Sequence, residues 1–156
     1  MVYAKFPEIK GKSLNKLPIT IPNDFTRKLN IVILPCSRVN KLILERWASF
    51  MDTLISDISF LDYYQINIFN KKLKVLRRYL EARARRNILN RNLEKVIHIY
   101  QELAVLKKTL NLKDHQSIYI FLINNKGDIL WRTEGKYDLE KAQLLKQKII
   151  EHMSEF

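Results

Sequence analysis

The sequence is short of the residues that most often carry or constrain chemistry. It has one cysteine, Cys36, in 156 residues. That excludes an internal disulfide and a dithiol redox pair, and it fits a reducing compartment. Its 3 glycines, Gly11, Gly127 and Gly135, are isolated, so there is no glycine-rich phosphate loop. Its 3 histidines, His98, His115 and His152, stand far apart and at no ligand spacing. No metal site and no cofactor is expected from them. The 4 prolines, Pro7, Pro18, Pro22 and Pro35, all fall early, which leaves the rest of the chain free for regular elements. No run reaches the roughly 20 apolar residues of a membrane span. The start, MVYAKFPEIKGK, lacks the apolar centre of a signal peptide. An intracellular, cytoplasmic protein without a transmembrane segment is the expectation.

What is abundant is positive charge. Lys and Arg number 28 against 16 Asp and Glu, a net +12. Such a chain attracts anionic partners: nucleic acid, an acidic membrane surface or an acidic protein. The charge is concentrated between Lys71 and Lys95, where ten cations face two acids, Glu81 and Glu94. Hydrophobic residues make up 47%, enough for one globular domain over 1–156 with a real core.

The hydrophobic pattern supplies the elements. Residues 1–28 read as irregular and extended, with Thr20 and Ile21 between two prolines as a short edge strand. Asn30–Pro35 is a continuous apolar run, as in a strand covered on both faces. From Val39 to Asp57, with Ile58 just beyond, steps of three and four through Leu44, Trp47, Met51, Leu54 and Ile58 predict a helix. Asp62–Phe69 predicts a strand, and Lys71–Asn87 a helix with Leu73, Leu76, Leu80 and Ala84 inward. Val96–Tyr100 predicts a short strand and Glu102–Leu110 a short helix. Ser117–Asn124 and Ile129–Thr133 form a hairpin about Asn125-Lys126-Gly127-Asp128, where Gly127 can take a positive φ. Asp138 caps a last helix with Leu139, Ala142, Leu145, Ile149 and Met153 inward. Alternating strands and helices, closed by a hairpin, give a mixed central sheet with helices on both faces. This is an α/β, thioredoxin-like (peroxiredoxin-like) arrangement.

The residues carry a resemblance as well. Asn30–Trp47, NIVILPCSRVNKLILERW, is similar to the strand, elbow and helix of a thioredoxin-like group lacking the redox cysteine pair. Cys36, Ser37 and Arg38 stand where that group often has an aromatic or small residue, a polar residue and an arginine. Trp47 stands at its mid-helix tryptophan. Val96–Glu134 resembles the group's second half, including the turn N-x-G-x-I-x-W-R, here Asn125 to Arg132, followed by Glu134-Gly135. The group includes the mitochondrial ATP-synthase assembly factors with a thioredoxin-like domain, and uncharacterised prokaryotic relatives. The resemblance runs from about Phe6 to Ile150. It implies an assembly role, a protein partner, and a mitochondrial matrix location for a eukaryotic, processed chain.

Two sets of residues are candidates for function. Cys36, with Arg38 two residues on, sits between a strand and a helix, where a thiolate is favoured. Yet Val39 stands where a second cysteine would be, and Ile33 where a peroxidatic site has its hydroxyl. No proline precedes the Ser117 strand, in NLKDHQS, where the thioredoxin fold places a cis-proline. Cys36 therefore reads as a small, partly buried hydrophobe, and enzyme activity is not expected. The second set is cationic: Lys71, Lys74, Arg77, Arg78, Arg85, Arg86 and Arg91, as an anion- or partner-binding stripe. Tyr79 is the single aromatic among them, which gives base stacking little support. The expected function is a redox-inactive, protein-binding or assembly adaptor. The alternatives are nucleic-acid or anionic-surface binding through the basic helix, and a single-cysteine thiol peroxidase or oxidoreductase.

Overall fold

The structure, a computed structural model, describes residues 4–36, 41–87, 90–112 and 118–153, without the side chains of 87, 90 and 91. Within them the order is β1 (Ile9–Ser13), β2 (Pro18–Ile21), β3 (Leu29–Pro35), α1 (Lys41–Asp57), β4 (Leu61–Phe69), α2 (Arg77–Asn87), β5 (Val96–Tyr100), α3 (Leu103–Leu110), β6 (Ile118–Asn124), β7 (Ile129–Glu134) and α4 (Leu139–Met153). Two 3-10 segments, Lys71–Leu76 and Asn90–Lys95, flank α2.

The strands form one seven-stranded sheet in the order β2-β1-β5-β4-β3-β6-β7. β3, β4 and β5 run parallel, joined by helical crossovers. β6 pairs antiparallel with β3 and β7, as the hairpin pattern predicts. β3 and β6 are interior strands, and the first six residues of each are buried. Alternation splits their side chains between two apolar layers. Ile31, Ile33, Ile120 and Leu122 meet Trp47, Met51 and Leu54 of α1 and Leu145 and Ile149 of α4. Val32, Leu34, Phe121 and Ile123 meet Phe6, Phe25 and Leu106 and Leu110 of α3.

Three expectations need correction. The first concerns residues 1–28, which are not irregular throughout, because β1 lies within them. It pairs with both β2 and β5, placing Lys12 opposite His98. The run IKGKS is too polar and too short to signal a strand. Gly11 belongs there for a packing reason: a Cβ would lie 2.7 Å from Ile99 Cγ2 and 2.9 Å from Ile97 Cγ2. The chain start is also tied to the hairpin turn. Phe6 N–H donates to the Gly127 carbonyl (2.8 Å), Ile129 N–H to that of Ala4 (2.9 Å), and Lys5 pairs with Asp128 at 2.5 Å.

The second concerns α4. Asp138 caps it, its Oδ1 accepting from Lys141 N–H at 2.8 Å, and Ala142, Leu145 and Ile149 are buried. Leu139 and Met153, expected inside, are exposed at its two ends. Leu44 of α1 and Ile58 just past its end are, similarly, only half-buried. The third is the largest. Lys71–Asn87 is not one helix, and Leu73 and Leu76 do not face the core. The first six residues are 3-10, all exposed, and Leu76 is 48% accessible. The inward positions of α2 are Leu80, Glu81, Ala84 and Arg85, with Glu81 the most buried. With three residues per turn in the 3-10 segment, the 100° rule loses phase before α2 begins.

Candidate functional site

Cys36 follows β3 directly and is 1% exposed, embedded in the layer that holds Phe121 and α3. Its thiol lies 3.8 Å from the Leu34 carbonyl oxygen, which accepts from it. Burial in this apolar layer keeps the thiol from bulk solvent. Arg38 and Ser37 lie outside the described residues. Among the described residues no three His, Cys, Asp or Glu side chains converge as a metal site.

The residues that carry the family resemblance build the scaffold. Trp47 Nε1 donates to the Gly135 carbonyl at 3.0 Å, tying α1 to the end of the hairpin. Gly135 sits at φ 95°, and its N–H donates to the Ile118 carbonyl. Gly127 sits at φ 90°, as the turn requires. Arg132 donates to the Leu110 carbonyl (2.5 Å) and lies 5.3 Å from the Phe121 ring centre, closing the C-terminal end of α3.

The cationic residues divide into three groups. Lys71, Arg78 and Arg86 are exposed on the outer surface, beside Lys72. Interleaved with them are the exposed apolar side chains of Leu73, Val75, Leu76 and Tyr79, Val75 at 89% accessibility. Arg85 turns inward instead, its Nε donating to the Leu14 carbonyl at 2.8 Å. Lys95 also turns inward, forming a short ion pair with Asp62. The Arg91 side chain lies outside the described residues.

Lys74 and Arg77 form the third group, over a cleft. Its floor is the β1–β5 pair, with Lys10, Lys12, His98 and Tyr100 on the face that α1 and α4 also cover. Its roof is the 3-10 segment and the first turns of α2, with Lys74, Arg77 and Glu81. The cleft volume is about 190 Å³. Arg77 Nε lies 3.9 Å from Glu81 Oε2. His98 is 4% exposed, packs 4.8 Å from the Phe69 ring centre, and neither ring nitrogen has a hydrogen-bond partner. Burial, and then the charge of Arg85, hold its pKa down to about 4. The Tyr100 hydroxyl, also buried and without a partner, is pushed up to about 12 by burial and by Glu81. Lys10, Lys12, Glu81 and Tyr100 were not candidates from sequence. The pairing that collects them depends on β1, which the pattern does not reveal.

Against known proteins, residues 4–150 match the ATP10 protein family. The chain belongs to that family, whose members are ATP synthase assembly factors. No curated protein sequence matches it. Solved structures agree on a thioredoxin-like fold. ScoI of Arabidopsis thaliana, solved with copper bound, superposes with a TM-score of 0.64 at 11% identity, covering 95% of this chain and 99% of that one. A thioredoxin-like protein from Aeropyrum pernix gives 0.60 at 14% identity over 92% and 89%. StoA from Bacillus subtilis gives 0.59 at 20% identity over 94% and 98%. The ATP10-family chain thus keeps the fold with one cysteine, which leaves no redox pair. No helix among the described residues is long and apolar enough to cross a membrane.

Proposed function

We propose that this ATP10-family protein acts in ATP synthase assembly as a redox-silent adaptor that docks an acidic protein segment. Docking is through the surface made by Lys71–Leu76 and the start of α2. The supporting observation is the mixed character of that surface. Val75, Leu76 and Tyr79 stand out into solvent between Lys71, Lys72 and Arg78. Solvated charge alone accounts for the cations. It does not account for large apolar side chains held outward, which mark an interaction site when clustered. Charge complementarity selects an acidic partner, and the apolar centre selects a protein over a nucleic acid. Tyr79 alone offers little stacking surface for bases. A mitochondrial matrix setting fits the family.

The test is co-purification of ATP synthase subunits with the tagged protein from cells that express it, comparing wild type with Lys71→Glu/Arg78→Glu and with Val75→Asp. Recovery of synthase subunits with wild type, and loss with both variants at unchanged stability, supports the reading. Equal recovery with all three contradicts it. So does capture of RNA in place of synthase subunits.

A further inference from the structure

We propose that the cleft between β1–β5 and the Lys71–Leu76/α2 roof binds a phosphate monoester group. This goes beyond the docking surface, which faces outward from the same segment. Four cations, Lys10, Lys12, Lys74 and Arg77, line about 190 Å³ together with one carboxylate, Glu81, and Lys10 also pairs with Glu8 at 3.7 Å. Arg77 Nε lies 3.9 Å from the Glu81 carboxylate. The cations alone would describe a solvated surface. His98 is what changes the reading. It is nine-tenths buried, lines the cleft, and leaves both ring nitrogens without a partner. The Tyr100 hydroxyl beside it is likewise without one. Two unmet buried polar groups cost about 1–3 kcal/mol each unless something occupies the space next to them.

The donor chemistry selects the occupant. Three ammonium groups, a guanidinium, a phenol O–H and one imidazole N–H all donate. A tetrahedral dianion offers enough acceptor oxygens for that set, whereas a carboxylate offers two oxygens. A divalent cation is repelled by the four positive charges. Phosphate presents the same chemistry on a soluble ester and on a lipid headgroup.

The experiment follows the His98 ring C–H resonances of the whole protein by NMR. The titrants are inorganic phosphate, glycerol 3-phosphate, and vesicles of phosphatidylcholine with and without phosphatidic acid. A saturable His98 shift with phosphate is expected. Affinity should weaken about tenfold or more in Lys12→Gln, which loses one charged hydrogen bond. Tyr100→Phe, which removes only the hydroxyl, should weaken it less. Tyr79→Ser, on the docking surface and without a change of charge, should leave it unchanged, which separates this site from the docking surface. Tighter response to glycerol 3-phosphate assigns a soluble ester. Response to phosphatidic acid vesicles that depends on Lys12 assigns a lipid headgroup. No saturable shift with any phosphate, or a shift that Lys12→Gln leaves intact, overturns the proposal and means the cleft holds water only.

Discussion

At the scale of single residues, His98 and Cys36 show how burial decides chemistry. His98 is neutral in the fold because charging it would place a cation in a buried site beside Arg85, with Lys10, Lys12, Lys74 and Arg77 around the same cleft, Glu81 lining it and Glu8 paired with Lys10. Its folded pKa, about 4, lies below the ordinary 6.5, so the unfolded chain binds a proton that the folded chain refuses. Stability from the neutral ring is complete above about pH 6.5 and is lost as pH falls towards 4. The loss approaches roughly 3 kcal/mol, and His98→Gln should flatten it. Urea unfolding at neutral pH and near pH 4.5 measures both. Cys36 is a core hydrophobe that ends in sulfur. Cys36→Ser puts a more strongly hydrated hydroxyl in the buried thiol's place and should cost about 1–3 kcal/mol. Cys36→Ala should cost less, and calorimetry on the two variants gives the order.

At the scale of elements, legibility followed the regularity of the pattern. β3, β4, β5 and the β6–β7 hairpin could be read directly, because covered strands must be apolar and a Gly-containing turn must follow. α1 was legible at its centre, where Trp47, Met51 and Leu54 are buried, and less so at its ends. β1 was not legible, since Lys10 and Lys12 alternate with Ile9, Gly11 and Ser13 and only the partner strands make sense of them. The Lys71–Asn87 segment misled for another reason. Its leucines have helical spacing, but the first turns are 3-10 and the packing surface beneath is the polar β1–β5 floor. The correction has a measurable consequence. Leu76→Ala should change stability by under about 0.5 kcal/mol, as at other exposed sites. Leu54→Ala, in the buried layer, should cost about 2–5 kcal/mol. The cations separate in the same way. Lys71→Glu/Arg78→Glu should leave stability level or improved by relief of like charge. Arg85→Glu should lower it by about 1–3 kcal/mol, because the Leu14 carbonyl loses its donor. Chemical denaturation of the four variants settles both contrasts.

At the scale of the whole molecule, the fold is thioredoxin-like and the family is that of ATP synthase assembly factors. The positions that make the family recognisable, Trp47, Gly127, Arg132 and Gly135, hold the hairpin and helices together. The chain also has a basic edge, exposed outside and cleft-forming inside. The sequence located that edge by charge but could not divide it, since the division depends on which side chains β1 and the 3-10 turns collect. In the proposed role, assembly runs through this edge and not through the thiol. Its most direct measurement is rescue of ATP synthase assembly in cells depleted of the protein, read as assembled complex on native gels. Cys36→Ala should restore assembly to the wild-type level, while Lys71→Glu/Arg78→Glu, equally stable, should not. A folded Cys36→Ala protein that fails to rescue, beside a charge-reversed protein that succeeds, would contradict the account.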